Sequence, residues 1–329
     1  MNKKVIIITT INDFTNTSIS KFIEYNYDII IVGDLKTPHN TYIDKKNIIY
    51  LHPSDFNDFK NFQELLPYNH YCRKNIGYLY ALKNNYEIIF DTDDDNYPIN
   101  DFDNWEKKYD IKNIEGPKFP NMLSLFTDLN IWSRGYPLEL LNKENNIKIS
   151  TDNNNLLNIG IYQSLANGDP DVDAIFRLTN KNYKNEIFFD ENKMFIINKN
   201  IYVQGNTQAT FWVDKKLFYL LYIPVTVSFR FCDILKMYIA QKCMWKHDKL
   251  ICYMSPIVHQ YRNEHNLIND FISEYPMYIS ILNIIDNIFE GIKLNGDKND
   301  LLIIYEKLYD NNIVKELEIK LVKEWLNYF

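Results

Sequence analysis

The chain reads as an α/β protein with a mostly parallel central sheet and a helical carboxyl-terminal appendage. Three observations predict this. Through the first hundred residues, short apolar runs alternate with helix-spaced segments, the pattern of parallel βαβ units, which bind ligands beyond the carboxyl ends of their strands. Those ends are polar: Thr9-Thr10-Ile-Asn12-Asp13, Gly33-Asp34-Leu-Lys36 and Asp91-Thr-Asp93-Asp94-Asp95. Beyond residue 265 the apolar spacing becomes helical.

In order, the pattern predicts a strand over Val5–Thr9, a helix over Thr17–Tyr25 and strands over Asp28–Val32 and Ile48–Leu51. A helix through Ile76 and Leu79 then leads into a strand over Glu87–Phe90. From Asn96 to about Asn200, Pro117, Pro120, Pro137 and Pro170 punctuate the chain and make it a poor candidate for regular sheet. Apolar runs resume from Ile201 to Val213 and over Leu217–Phe231, followed by a helix over Asp233–Trp245 and a short strand over Leu250–Met254. Segments 267–291 and 300–328 read as helices; Val314, Leu317, Leu321 and Trp325 mark one face. The expected division is a body over 1–265 and a helical extension over 266–329. The extension either packs on the body or offers a homodimer contact.

A chain of 329 residues with 46% hydrophobic content can bury a large core. Its net charge of −7, with no basic stripe, argues against a nucleic-acid partner. Cys72, Cys232, Cys243 and Cys252 form no CxxC pair and are expected to be reduced core residues. The apolar run Val5–Ile8 is too short for a signal core, and no run reaches the roughly 18 apolar residues of a spanning helix. A soluble, cytoplasmic protein is the expectation.

The sharpest chemical signal is the acidic cluster Asp91, Asp93, Asp94 and Asp95. Carboxylates this close repel one another unless a cation or water screens them. A solvated acidic turn is one reading. An EF-hand loop is excluded, because its sixth position would be Asn96 rather than Gly and its twelfth Phe102 rather than Glu. A hard cation, Mg²⁺ or Mn²⁺, held by a few carboxylates and completed by substrate diphosphate is the other reading. Asp93 and Asp95, two apart on an extended segment, can point the same way.

The segment Arg73-Lys-Asn75-Ile-Gly77-Tyr-Leu-Tyr-Ala81, with the acidic cluster after it, resembles the signature of nucleotide-sugar glycosyltransferases of the GT-A type, a Rossmann-like fold. Leu66–Ala81, Trp132–Leu140, Gly168–Leu178, Ile223–Val227 and Val258–Asn263 resemble the STELLO-type glycosyltransferases more closely. Arg134-Gly-Tyr-Pro137 is similar, more distantly, to the plant reversibly glycosylated polypeptides, in which that arginine is reported to carry sugar.

The resemblance implies a set of roles. Asp93, Asp95 and a late-strand histidine, His259, would hold Mn²⁺ or Mg²⁺, and Asp94 would face the donor sugar or a helix end. Arg73 would neutralise diphosphate, while Asn75 would fix the nucleotide or cap local backbone. Thr9, Thr10 and Asp34 would meet the base, Lys36 the phosphate, and Gly205 the donor sugar. Asp233 would take a proton from the acceptor hydroxyl or serve only as a helix N-cap. Asp171 and Asp173 are its rivals.

These roles imply transfer from a nucleoside-diphosphate sugar, a UDP-sugar above all, to a hydroxyl on a glycan or protein. Two alternatives are a self-glycosylating or mutase protein using Arg134 as carrier and a non-catalytic nucleotide-sugar or glycan-binding partner. An aspartyl phosphohydrolase ranks last, because its pattern expects Thr or Val at Asp95.

Overall fold

The computed structural model describes residues 3–54, 57–99, 102–106, 111–151, 158–180 and 186–329, except the side chains of residues 57, 104 and 106. Its strands are β1 (Lys4–Thr9), β2 (Asp28–Val32), β3 (Ile48–Leu51), β4 (Ile88–Thr92), β5 (Asn96–Pro98), β6 (Ile111–Glu115), β7 (Lys148–Ser150), β8 (Ile159–Gly168), β9 (Met194–Ile197), β10 (Ala209–Trp212) and β11 (Leu250–Gln260). They form one mixed sheet in the order β3-β2-β1-β4-β10-β8-β11-β9-β6-β7, with β5 added against β11.

Parallel ladders hold the greater share of the paired residues, joining β3, β2, β1 and β4, then β8 with β11 and β6 with β9. β10 runs antiparallel between β4 and β8 and bridges the two parallel regions. Strand alternation explains the unbroken apolar run of β1: Val5 and Ile7 enter one core, Ile6 and Ile8 the other.

Helix α3 (Lys74–Lys83) packs on β1 and β2. The contact depends on Gly77, where a Cβ would stand 2.7 Å from Ile7 Cγ2 and 2.7 Å from Val32 Cγ2. The remaining helices are α1 (Ile19–Phe22), α2 (Lys60–Leu65), α4 (Ala174–Thr179), α5 (Cys232–Met244), α6 (Leu267–Asn283), α7 (Asn299–Asp310) and α8 (Glu316–Leu326). Helix α8 shares the core of the body. Trp325 is buried, donates from Nε1 to the Tyr219 carbonyl at 2.8 Å, and sits 5.7 Å from the Phe62 ring. No helix among the described residues is long and apolar enough to cross a membrane. All four cysteines are buried and free.

The middle segment corrects the sequence reading. The expected irregular region contains β6, β7, β9 and the ten-residue β8, which lies between β10 and β11. Pro117, Pro120, Pro137 and Pro170 lie in the connections, while Pro98 ends β5. The apolar pattern of β8 is broken by buried polar residues that the interior satisfies: Gln163 Oε1 accepts from Asn206 N at 3.0 Å and from Thr210 Oγ1 at 2.9 Å. β11 also runs six residues past the expected Met254, crossing Pro256 through a register shift between Met254 and Val258. In place of a helix over Thr17–Tyr25 there is a single turn.

Candidate functional site

A cavity of about 600 Å³ opens where the sequence expects it, beyond the carboxyl ends of β1, β2 and β4. The acidic cluster separates by role as β4 ends. Asp91 is still inside the strand, fully buried between Lys74 Nζ at 2.7 Å and Lys236 Nζ at 3.0 Å, and it accepts from Tyr78 Oη at 2.6 Å. It anchors the sheet and faces no ligand space. Asp94 turns toward the loop after β1, accepting from Thr10 Oγ1 and, at 2.9 Å, from Asn12 Nδ2.

Asp93 and Asp95 line the cavity. Asp93 accepts from Tyr71 Oη at 2.9 Å, with Lys74 Nζ at 3.5 Å. Asp95 accepts from Gln260 Nε2 at 3.2 Å and Asn96 Nδ2 at 3.1 Å. Burial pushes the Asp93 carboxyl up to about 7, against the pull of Lys74, and the Asp95 carboxyl up to about 6. The Asp93 side chain is still 34% exposed, but into a deep cavity rather than bulk water. Two carboxylates thus share a space where neutralising partners fall short of their charge.

Another part of the lining is built on Arg134. Its Nε and Nη2 donate to Asp171 at 2.8 and 2.7 Å. Nη1 and Nη2 donate to Asp233 at 2.9 and 2.7 Å, and Nη1 also reaches the Arg230 carbonyl. All five guanidinium N–H groups are engaged. Burial alone would lower the Arg134 pKa, but the two carboxylates outweigh it and hold the group well above its ordinary value. Asp171, which burial would raise, is held well below the carboxylate range by Arg134. For Arg134 to carry a sugar, part of this bond set would have to open.

Thr9, Thr10, Asp34, Lys36 and Arg73 also line the cavity. The carboxylate of Asp34 is partly taken by backbone, accepting from Leu35 N at 2.7 Å and His70 N at 3.2 Å. The Arg73 guanidinium lies 4.6 Å over the Tyr68 ring.

Four of the residues singled out in the sequence are not brought into this cavity. Asn75 is buried and bonded to both backbone groups of Ile223. Asp173 caps α4, accepting from Phe176 N at 2.7 Å and Trp132 Nε1 at 2.6 Å. Gly205 borders a separate small cavity, while its neighbours Asn206, Thr207 and Gln208 line the main one. His259 alternates with Gln260 along β11, so when Gln260 meets Asp95 the imidazole faces the other way, 3.4 Å from Glu186. Among the described residues, no group of three or more His, Cys, Asp or Glu side chains could hold a metal ion.

Several cavity residues carry no sequence flag: Tyr71, Phe229, Arg230 and Arg262. Tyr71 and Arg262 had a usable signal, since each lies inside a segment already singled out, Leu66–Ala81 and Val258–Asn263, and Arg230 lies three residues past Ile223–Val227. Phe229 is a common residue type in this chain and had none.

The sheet and the site at its strand ends define a Rossmann-like α/β protein of the GT-A kind. No family model matches the chain. The chain is 27% identical over 256 residues to probable glycosyltransferase STELLO2 of Arabidopsis thaliana, covering 71% of this chain and 32% of that protein. It is 27% identical over 230 residues to probable glycosyltransferase STELLO1 of the same plant, covering 64% and 28%. The similarity is therefore to STELLO-type proteins, and the chain spans about a third of the length of these curated relatives.

Proposed function

We propose that the chain is a glycosyltransferase moving a sugar from a nucleoside-diphosphate sugar, a UDP-sugar in the first instance, to a hydroxyl acceptor on a glycan or protein. One observation carries the reading. Asp93 and Asp95 face the same cavity as the Arg134, Asp171 and Asp233 group, so a donor-binding face and a hydroxyl-binding face share one space. The names of the two relatives point the same way.

The two aspartates fit a divalent cation. Their pKa values are pushed up by burial that neighbouring cations do not offset, and a small hard cation needs only one or two carboxylates when substrate phosphates complete its shell. Mn²⁺ or Mg²⁺ held there would neutralise the charge developing on the leaving diphosphate.

The protein's own groups do the rest. Thr9, Thr10 and Asp34 bind the nucleoside end, and Lys36 and Arg73 bring positive charge toward the diphosphate. Asp171, tied by Arg134 and by Asn206 Nδ2 at 2.9 Å, keeps the guanidinium in place. Asp233 is held by Arg134 and its own helix N–H at Ile234. It orients the acceptor hydroxyl and takes its proton as the new bond forms.

The test is a thermal-shift and donor-hydrolysis screen of UDP-, GDP- and dTDP-sugars with Mn²⁺, Mg²⁺ or EDTA. Metal-dependent stabilisation by one donor, with slow nucleotide release, supports the reading. No donor binding under any metal overturns it.

A further inference from the structure

We propose that the acceptor is a carbohydrate and that Phe229 is the ring on which it stacks. The proposal rests on the glycosyl-transfer reading and names the acceptor class for that same cavity.

Phe229 is 55% exposed, yet it lines a cavity whose neighbouring wall is charged: Arg134, Asp171, Arg230 and Asp233. An aromatic ring open into a cavity beside a few convergent polar groups is the kind of lining that a ligand pocket carries. The ring is also fixed. Its edge contacts set it against His70 at 5.8 Å and 70° and against Tyr71 at 5.9 Å and 68°.

The backbone leading to it is clamped from two directions. Asn75 accepts from Ile223 N at 2.8 Å and donates to its carbonyl at 2.9 Å. Glu318 of α8 accepts from Val225 N at 3.1 Å and from both Thr226 N and Thr226 Oγ1 at 2.7 Å. On the far side of the ring, Arg230 N donates to Ser273 Oγ of α6 at 3.3 Å.

A rigid, open aromatic face rimmed by carboxylates and guanidinium groups is the complement of a pyranose, whose C–H face is apolar and whose edge is a row of hydroxyls. A lipid acceptor would require a continuous apolar wall, and here Arg134, Asp171, Arg230 and Asp233 interrupt it. A serine or threonine side chain offers a hydroxyl but no flat apolar face. The ring also sits next to the donor side, since Tyr71, against which it packs, donates to Asp93.

The experiment is calorimetry and saturation-transfer NMR on the full chain with UDP and Mn²⁺ present, using β-1,4-linked gluco-, xylo- and mannotetraose, a threonine-containing peptide and a short polyprenyl phosphate as probes. The expected result is binding of at least one tetrasaccharide, weakened about tenfold or more in Phe229→Ala, restored in Phe229→Trp, with UDP affinity the same in all three proteins. Unchanged tetrasaccharide binding in Phe229→Ala, no tetrasaccharide binding by the unaltered chain, or stronger binding of the peptide or polyprenyl phosphate overturns the proposal. UDP binding retained alongside any of those results leaves the donor reading standing. Absent UDP binding removes both.

Discussion

Arg134 and Asp233 stand 99 positions apart in the chain and meet end-on through two bonds, Nη1 to Oδ1 at 2.9 Å and Nη2 to Oδ2 at 2.7 Å. The same guanidinium holds Asp171, so one cation organises two carboxylates at the cavity wall. Asp233→Asn keeps the shape and removes the proton acceptor. Turnover should fall by about 10²- to 10⁴-fold with donor affinity preserved, as steady-state kinetics against direct donor binding will read. A loss of less than tenfold would move the base role elsewhere.

Arg134→Lys should be costly for the fold itself. An ammonium cannot serve both carboxylates bidentately, and a buried carboxylate left without its partner costs on the order of 3 kcal/mol. Chemical denaturation measures this. Intact mass after incubation with donor should show no added sugar on the unaltered chain, and a gain that Arg134→Lys abolishes would reinstate the carrier role.

Asp93→Ala and Asp95→Ala should each abolish the difference between donor binding in Mn²⁺ and in EDTA. Titration calorimetry gives the answer directly. Metal-dependent donor binding that survives both substitutions would return the cluster to an acidic turn.

Asp173 makes a pH prediction. Burial raises its carboxyl from an ordinary 3.8 to about 6. Its raised folded value means that stability is fullest below about pH 4, declines as pH rises through 6, and is flat beyond. The whole excursion is on the order of 2–3 kcal/mol. Asp173→Asn keeps an oxygen for the α4 cap but cannot charge, so the loss of stability between pH 4 and pH 7.5 should shrink by that order in denaturant titrations. An unaltered slope would contradict the assignment.

Gly77→Ala places a methyl group 2.7 Å from two branched side chains of the sheet. Overpacking of this kind costs about 1–3 kcal/mol. A variant as stable as the parent would show that α3 can shift away from β1 and β2.

The parallel half of the fold was legible because its signals are local: continuous apolar runs in β1, β2 and β4, a glycine where a helix must approach them, and polar residues at each strand end. β8 was not, because Gln163, Ser164 and Asn167 look like surface residues until Asn206, Thr210, Ser255 and Phe189 supply their bonds from other parts of the chain. Residue type was readable in the site, but direction was not. The resemblance offered His259 and Asp95 to one cation, yet which face of β11 the imidazole takes depends on the register with β5. Phe229 had no chance of standing out among 20 phenylalanines and 25 tyrosines.

The turn that carries Phe229 toward Asp233 is secured by a carboxylate that follows Thr226 by 92 residues. While the chain is still emerging from a ribosome, the strands, the acidic cluster and the Asn75 clamp can be in place, but the Glu318 clamp on this turn waits for α8. The turn that carries Phe229 is therefore held from both directions along the chain, by Asn75 from before it and by Glu318 from well after it.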